Sequence, residues 1–439
     1  MATDTPSSAR HLVIYEIFVR NHGPHGTFAD VTQDLPRIQK MGVDIVWLMP
    51  IHPIGKIERK GTLGSPYSIS DYRGINPEYG ALADFKALIE KAHQLGMAVM
   101  IDVVYNHTAH DSVLVAGHPD WFHQTEAGVP VTTVPDWSDV IDLKHPNDLL
   151  TTYLVDTLKM WAQVGVDGFR CDVAPLVPVD IWVKARHQVA ELKPGVTWLA
   201  ESVHASFIID RRYRGLPAAS DGELYQAFDL TYDYDIWPVW QAAVLGEIPL
   251  SRYLDLLQYQ DCVHPMNSVK MRCVENHDNR RIMDLAGSTD QGLAWTAFQA
   301  FNKGAFLIYA GEESAEEKTP SLFNTDKVNW GNYSLQPFLT RLALLKKDAV
   351  TIQGKFALLE CSAGIQAVWS GEAGCLYGVF NVSQGAGEIG VQLADGVYTN
   401  LLDDTQLTVK NGQMDMPSSA AIVRGPLAGS LRPYRSELL

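Results

Sequence analysis

Cysteine, basic charge and long apolar runs are all scarce in this chain. Five cysteines, Cys171, Cys262, Cys273, Cys361 and Cys375, stand among 439 residues. Their number is odd and two lie inside strand-like apolar runs, so no disulfide framework is expected. Cys361 and Cys375 alone could pair, if their strands are neighbours. Lys and Arg total 35 against 51 Asp and Glu, a formal net charge of −16. That balance disfavours nucleic acid and anionic membrane as partners and favours a neutral or cationic ligand. No run reaches the roughly 18 apolar residues of a membrane span. The opening MATDTPSSARHLVIYEIF has no basic segment leading into an apolar stretch and a small-residue cleavage site. The expectation is a soluble, cytoplasmic protein, and the sequence sets no oligomeric state.

Aromatic residues, by contrast, abound: 11 Trp and 17 Tyr in a chain that is 46% apolar. Most such rings fill cores, but they also stack on the apolar faces of sugars. The length suits one large domain and a smaller one. Strand-like runs alternate with amphipathic helical stretches through the first 350 residues, at 11–19, 44–50, 98–105, 166–172, 196–201, 224–229, 269–275 and 305–311. Several helical stretches end in glycine (Gly42, Gly96, Gly165), as C-caps do. Eight strands separated by helices predict a closed (β/α)8 TIM barrel over 1–108 and 146–352. An open doubly wound sheet is the competitor, but no GxGxxG follows the first strand. A short inserted segment, 109–145, interrupts the pattern after the third strand, where loops of this length are commonly functional. From about Gly354 short alternating runs with Gly and Asn turns predict an antiparallel C-terminal domain, a β-sandwich over 353–439.

Four polar clusters fall at the C-terminal ends of predicted barrel strands, where such barrels carry their catalytic groups. The third strand closes with Asp102, followed by Asn106 and His107. The fourth carries Arg170 and Asp172, two apart and so on one face. The fifth closes with Glu201 and the seventh with Asn276, His277 and Asp278. A lone buried Asp is more often structural than catalytic. Four clusters at one end of the same barrel reverse that balance.

The motifs DVVYNH (102–107), GFRCD (168–172), the Glu of WLAES (198–202) and ENHD (275–278) occur in the order of the four signature regions of glycoside hydrolase family 13. With YEIFVR, SPYSISDYRGINPEYG (65–80) and IYAGEE (308–313), the chain resembles that family, the α-amylase family, along nearly its whole length. The resemblance implies a retaining mechanism with Asp172 as nucleophile, Glu201 as acid/base and Asp278 as stabiliser of the sugar cation. It implies that Arg170 aims the nucleophile, that His107 and His277 bind sugar hydroxyls, and that Tyr67 stacks on the same sugar. Trp121, Trp137, Trp182 and Trp237 are candidates for outer subsites, with packing as the equal alternative. No cofactor is required for the chemistry. A structural calcium ion is the family's usual companion, and Asn106 and Asp142 match two of its ligand places. Neutral hydrogen bonding by Asn106 is the other reading, since two donors do not fill six to eight positions.

Departures from the family pattern point to specificity. Pro175 and Leu176 stand where many α-amylases carry a Lys-His pair, which removes a contact to leaving-side sugars. The insertion is short, so a compact, open cleft is expected. Phe306, where the family often has Pro, reads as packing. The expected activity is hydrolysis of α-1,4 bonds in maltodextrins or starch-like α-glucans. An α-glucosidase or glucanotransferase of the same family is the alternative. A catalytically inactive carbohydrate-binding homologue would lack one or more of the carboxylates, and all three are present.

Overall fold

In the computed structural model, which describes residues 4–436, eight parallel strands close on themselves. They are β1 (Val13–Ile17), β2 (Ile45–Leu48), β3 (Ala98–Val103), β4 (Gly168–Cys171), β5 (Thr197–Ala200), β6 (Leu230–Tyr232), β7 (Val269–Arg272) and β8 (Ala305–Tyr309). Closure is direct: Ile14 of β1 pairs with Ile45 of β2 on one side and with Leu307 of β8 on the other. The strands are apolar with few exceptions, as expected where both faces are covered. Those exceptions matter. Glu16, Asp102 and Arg170 are ionisable side chains inside barrel strands, each fully buried.

The outer helices are α1 (Phe28–Lys40), α2 (Leu82–Gln94), α3 (Asp148–Val164), α4 (Val179–Leu192), α5 (Ala205–Tyr213), α6 (Leu250–Val263), α7 (Thr289–Phe301) and α8 (Gln336–Lys346). Local chemistry sets their ends. Thr27 and Asp30 form a capping box at α1, and Asn147 accepts from the Leu150 N–H at α3. Gly165 closes α3 at φ +125°, a conformation that favours glycine. No described helix is long and apolar enough to cross a membrane.

One expected strand is displaced. The run 224–229 is not β6; Ser220 and Glu223 form a capping box that starts a one-turn helix, Asp221–Leu224. The chain then turns, and the strand follows at Leu230–Tyr232. A local S-x-x-E cap defeats the apolar pattern that continues beyond it.

After β3 the insertion forms a small hairpin in which His107–Ala109 pairs antiparallel with Val140–Asp142. Beyond α8, β9 (Lys355–Leu359), β10 (Ile365–Gly371), β11 (Gly374–Phe380) and β12 (Ala420–Arg424) form one antiparallel sheet in that order. One face of it, with Trp369, Phe380 and Ile422, shares a continuous core with the barrel. The other covers a second cluster around Tyr377, Val379 and Ile389. All five cysteines are free, and the Cys361 thiol donates to the Gly364 carbonyl at 3.4 Å instead of bonding Cys375.

Candidate active site

The C-terminal ends of the strands surround a cavity of about 320 Å³. Asp172, one residue beyond β4, and Glu201, one beyond β5, both open into it, and Asp278 enters from the loop after β7. Beneath them lies Arg170, fully buried because β4 directs it to the barrel axis. One of its terminal nitrogens, Nη1, donates to Asp172 Oδ1 at 2.8 Å and to Asp102 Oδ1 at 2.9 Å. The other, Nη2, is ion-paired with Glu201 Oε2 at 3.0 Å, and Nε donates to the Tyr232 hydroxyl at 3.1 Å. A single rigid guanidinium therefore spans both carboxylates.

A second chain of contacts starts on β1. Glu16, with no exposure, is hydrogen-bonded to His277 Nδ1. His277 Nε2 lies 3.0 Å from Asp278 Oδ2 and 2.7 Å from the Tyr67 hydroxyl, which donates to Asp102 Oδ2 at 3.1 Å. The Tyr67 and His277 rings stack with centroids 5.3 Å apart. Tyr67 thus has its hydroxyl fixed while it lines the cavity.

Electrostatics separate the carboxylates. Burial pushes Glu201 up to about 8; Arg170 opposes the rise, and the charges of Asp172 and Asp278 add to it. Burial also raises Asp172, to about 6, against the pull of Arg170. Asp278 is the most open of the three, its side chain 39% exposed; partial desolvation works against its charge, yet the adjacent His277 holds its carboxyl below the usual range. Burial works against an imidazolium at His277, but Asp278 and Glu16 hold its pKa well above that of a free histidine. At His107 burial outweighs the charges of Asp142 and Asp139 and brings the pKa down to about 4, so it is neutral. Its Nε2 is 3.9 Å from Asp172 Oδ2. The residue after Asp172 is itself unusual. Val173 has φ +34°, an uncommon conformation for a β-branched residue, and its N–H donates to Glu201 Oε2 at 2.8 Å.

The structure gathers Asp172, Glu201, Asp278, Tyr67, His107, Arg170 and His277 into one site. Among the four tryptophans only Trp137 reaches the cavity. Trp121, Trp182 and Trp237 are buried, with Trp182 between Tyr105 and Phe228. Sequence reasoning assigned no role to Glu16, Tyr232, Lys60 or Phe323. The signal for Glu16 was present, an ionisable residue in the apolar run VIYEI. Lys60 and Phe323 reach the cavity from long loops that carry no periodicity.

Asn106 and Asp142, the two expected calcium ligands, are both engaged in other contacts. Asp142 Oδ1 accepts from Thr132 Oγ1 at 3.2 Å, and Oδ2 accepts from the Thr133 N–H and hydroxyl at 2.7 and 2.6 Å. The Asn106 amide nitrogen is 3.2 Å from His107 Nδ1. Buried Arg211 donates to Thr133 Oγ1 at 2.8 Å and feels the Asp142 charge. A permanent cation and three hydrogen bonds leave little of the oxygen shell that calcium needs. Elsewhere among the described residues, Asp221, Asp235 and His264 have metal-ligand spacing. Lys270 fills that cluster, bonded to Asp221 and, at 3.0 Å, to Asp235.

Residues 7–137 and 133–336 match the α-amylase catalytic domain, and 365–423 match the bacterial α-amylase C-terminal domain. An α-amylase from Lactobacillus plantarum superimposes with a TM-score of 0.92 at 44% identity, covering 95% of this chain and 100% of the other. A noncanonic maltogenic α-amylase from Thermotoga neapolitana gives 0.83 at 32% identity, covering 95% and 99%. An α-1,4-glucan:maltose-1-phosphate maltosyltransferase of Rhodospirillum rubrum is 35% identical over 228 residues, 45% of this chain and 32% of that protein. Such matches span about a third to a half of the length of the curated relatives.

Proposed function

The chain belongs to glycoside hydrolase family 13, the α-amylase family, and from that premise we propose that it is a retaining hydrolase of α-1,4 bonds in maltodextrins. The observation that carries the reading is the Arg170 fork, which holds Asp172 and Glu201 on its two terminal nitrogens. Two carboxylates tied to one guanidinium suit the short separation of a retaining pair, with nucleophile and acid/base at the same bond. Asp172 attacks the anomeric carbon through Oδ2, while its Oδ1 stays bonded to Arg170. The bond to the glycosidic oxygen breaks, and Glu201, protonated near neutrality, gives that oxygen its proton. Glu201 then takes a proton from water as the water attacks the anomeric carbon and releases Asp172. Asp278, ionised beside His277, stabilises the positive charge on the ring in both steps. Tyr67 stacks on that ring, and His107 and His277 meet its hydroxyls.

Water rather than a sugar is the favoured acceptor because the structures matching the whole chain at 44% and 32% identity are α-amylases. The maltosyltransferase relatives support a transferase as the second reading. Asp172→Asn removes the attacking oxygen's charge and should reduce release of the aryl group from an aryl maltoside to background. Activity left unchanged would overturn the assignment. A time course on maltoheptaose separates the two readings, since products longer than the substrate signal transfer.

A further inference from the structure

Three loops meet over one side of the cavity. Lys60, in the loop after β2, donates through Nζ to the Asp136 carbonyl at 2.8 Å and is ion-paired with Asp139 Oδ1 at 2.9 Å, both on the inserted segment. Two residues on, the Thr62 N–H and hydroxyl donate to Asn324 Oδ1 at 3.0 and 2.8 Å, and the Leu63 N–H donates to the Phe323 carbonyl at 3.0 Å. Asn324 and Phe323 belong to the loop after β8. Between the two contacts sits Gly61 at φ +66°, where an added Cβ would lie 2.6 Å from the Phe323 Cβ. Only glycine lets these loops approach so closely. Below the junction, buried Arg20 donates to the carbonyls of Gly64 and Leu322 at 3.0 and 3.2 Å, tying the same two loops from underneath.

The position of this junction gives it a chemical meaning. Glu201 protonates the leaving oxygen, so leaving-side sugars extend from the bond toward β5. The retained sugar therefore runs the opposite way, toward β1, and the junction is built on the loops after β2, β3 and β8 that surround β1. Lys60, Phe323 and Trp137 line the cavity from that side, whereas the loops after β5 and β6 add no lining residue apart from Glu201. The lining beyond the carboxylates is thus concentrated on the glycone side of the cavity.

We infer that this junction is a wall that ends the glycone half of the cleft, so that the enzyme takes chains by their non-reducing ends and releases short products. A cavity of 320 Å³ is at the small end of the roughly 300–1,000 Å³ of ligand pockets, which allows about one or two glucosyl units before the wall. The inference rests on the α-glucan reading of the site.

The test compares two maltoheptaosides that carry the same chromophore at the reducing end. One has a free non-reducing end and the other has that end blocked as a 4,6-O-ethylidene acetal. The wild-type enzyme should shorten the free substrate by one or two glucosyl units from the non-reducing end and cleave the blocked one at least about tenfold more slowly. In the double variant Lys60→Ala/Phe323→Ala the blocked-to-free rate ratio should rise severalfold. Because the ratio is taken within one protein preparation, loss of folded enzyme does not change it. Equal wild-type rates on the two substrates, or a ratio that the variant does not move, would overturn the wall. Failure to cleave even the free substrate would instead overturn the underlying α-glucan reading.

Discussion

Asp172 and Glu201 share one guanidinium yet titrate apart, at about 6 and about 8, because burial raises both and the charge of Asp172 adds to the rise at Glu201. With Asp172 as the proposed nucleophile, which must be ionised, activity should be lost as pH falls below about 6. The acid must be protonated, so activity is lost as pH rises above about 8. A bell-shaped kcat/KM profile centred near neutrality is expected, with apparent limbs that belong to the pair. Glu201→Gln should remove the alkaline limb and lower kcat about 10²–10⁴-fold. The same shift acts on stability. Glu201 in the folded protein holds its proton up to about 8 against an ordinary value of 4.5, so folding binds a proton between those values. Stability from this group is complete below the lower value and falls as pH rises toward the higher one. The Gln variant should therefore gain in melting temperature over wild type at pH 8 and not at pH 4. A variant whose profile keeps both limbs would remove Glu201 from the acid/base role.

Elements differed in how well their pattern announced them. β1 to β5, β7 and β8 fall within runs that the sequence pattern marks as strands, and the motifs at their ends placed Asp172, Glu201, Asp278 and their partners in one site. β6 is three residues long and follows a capped turn, so periodicity had nothing to grip. Glu16 and Tyr232 acquire their roles only when the barrel closes and sets β1 and β6 around Arg170 and His277, a relation between strands far apart in sequence. The wall was illegible for the same reason: it consists of hydrogen bonds between irregular loops, joining residues 76 and 262 apart in sequence. Asn106 and Asp142 fit the calcium pattern by position, while Thr132 and Thr133 donate to the Asp142 carboxylate and Arg211 lies within reach of its charge. Treatment with a chelator should accordingly leave both the rate on maltoheptaose and the melting temperature unchanged. Arg211→Met, which removes the cation and frees a buried hydroxyl, should cost about 1–3 kcal/mol in denaturant unfolding. Inactivation by the chelator, reversed by added calcium, would show that the loop holds the ion after all.

At the scale of the molecule, one face of the C-terminal sheet shares the core of the barrel. Phe380 of β11 packs against Phe298 and Phe301 of α7, with centroids 5.4 and 5.5 Å apart, and the Trp369 indole donates to the Phe301 carbonyl at 2.7 Å. Gln291 at the start of α7 donates to the carbonyl of Val382, just past β11, at 3.0 Å. The helix that this sheet supports also buries Trp295 toward Trp240, which packs at a tilt against Trp237, whose indole donates to Asn279 beside Asp278. Packing continuous from β11 to the loop of the catalytic carboxylate predicts one cooperative unfolding transition rather than two. Phe380→Ala should cost about 3–5 kcal/mol by opening a cavity in that shared core. Calorimetry is expected to show a single endotherm moved to lower temperature, with loss of activity tracking it. A second, unmoved endotherm for the barrel would show that the two units fold independently and that the sheet is an appendage.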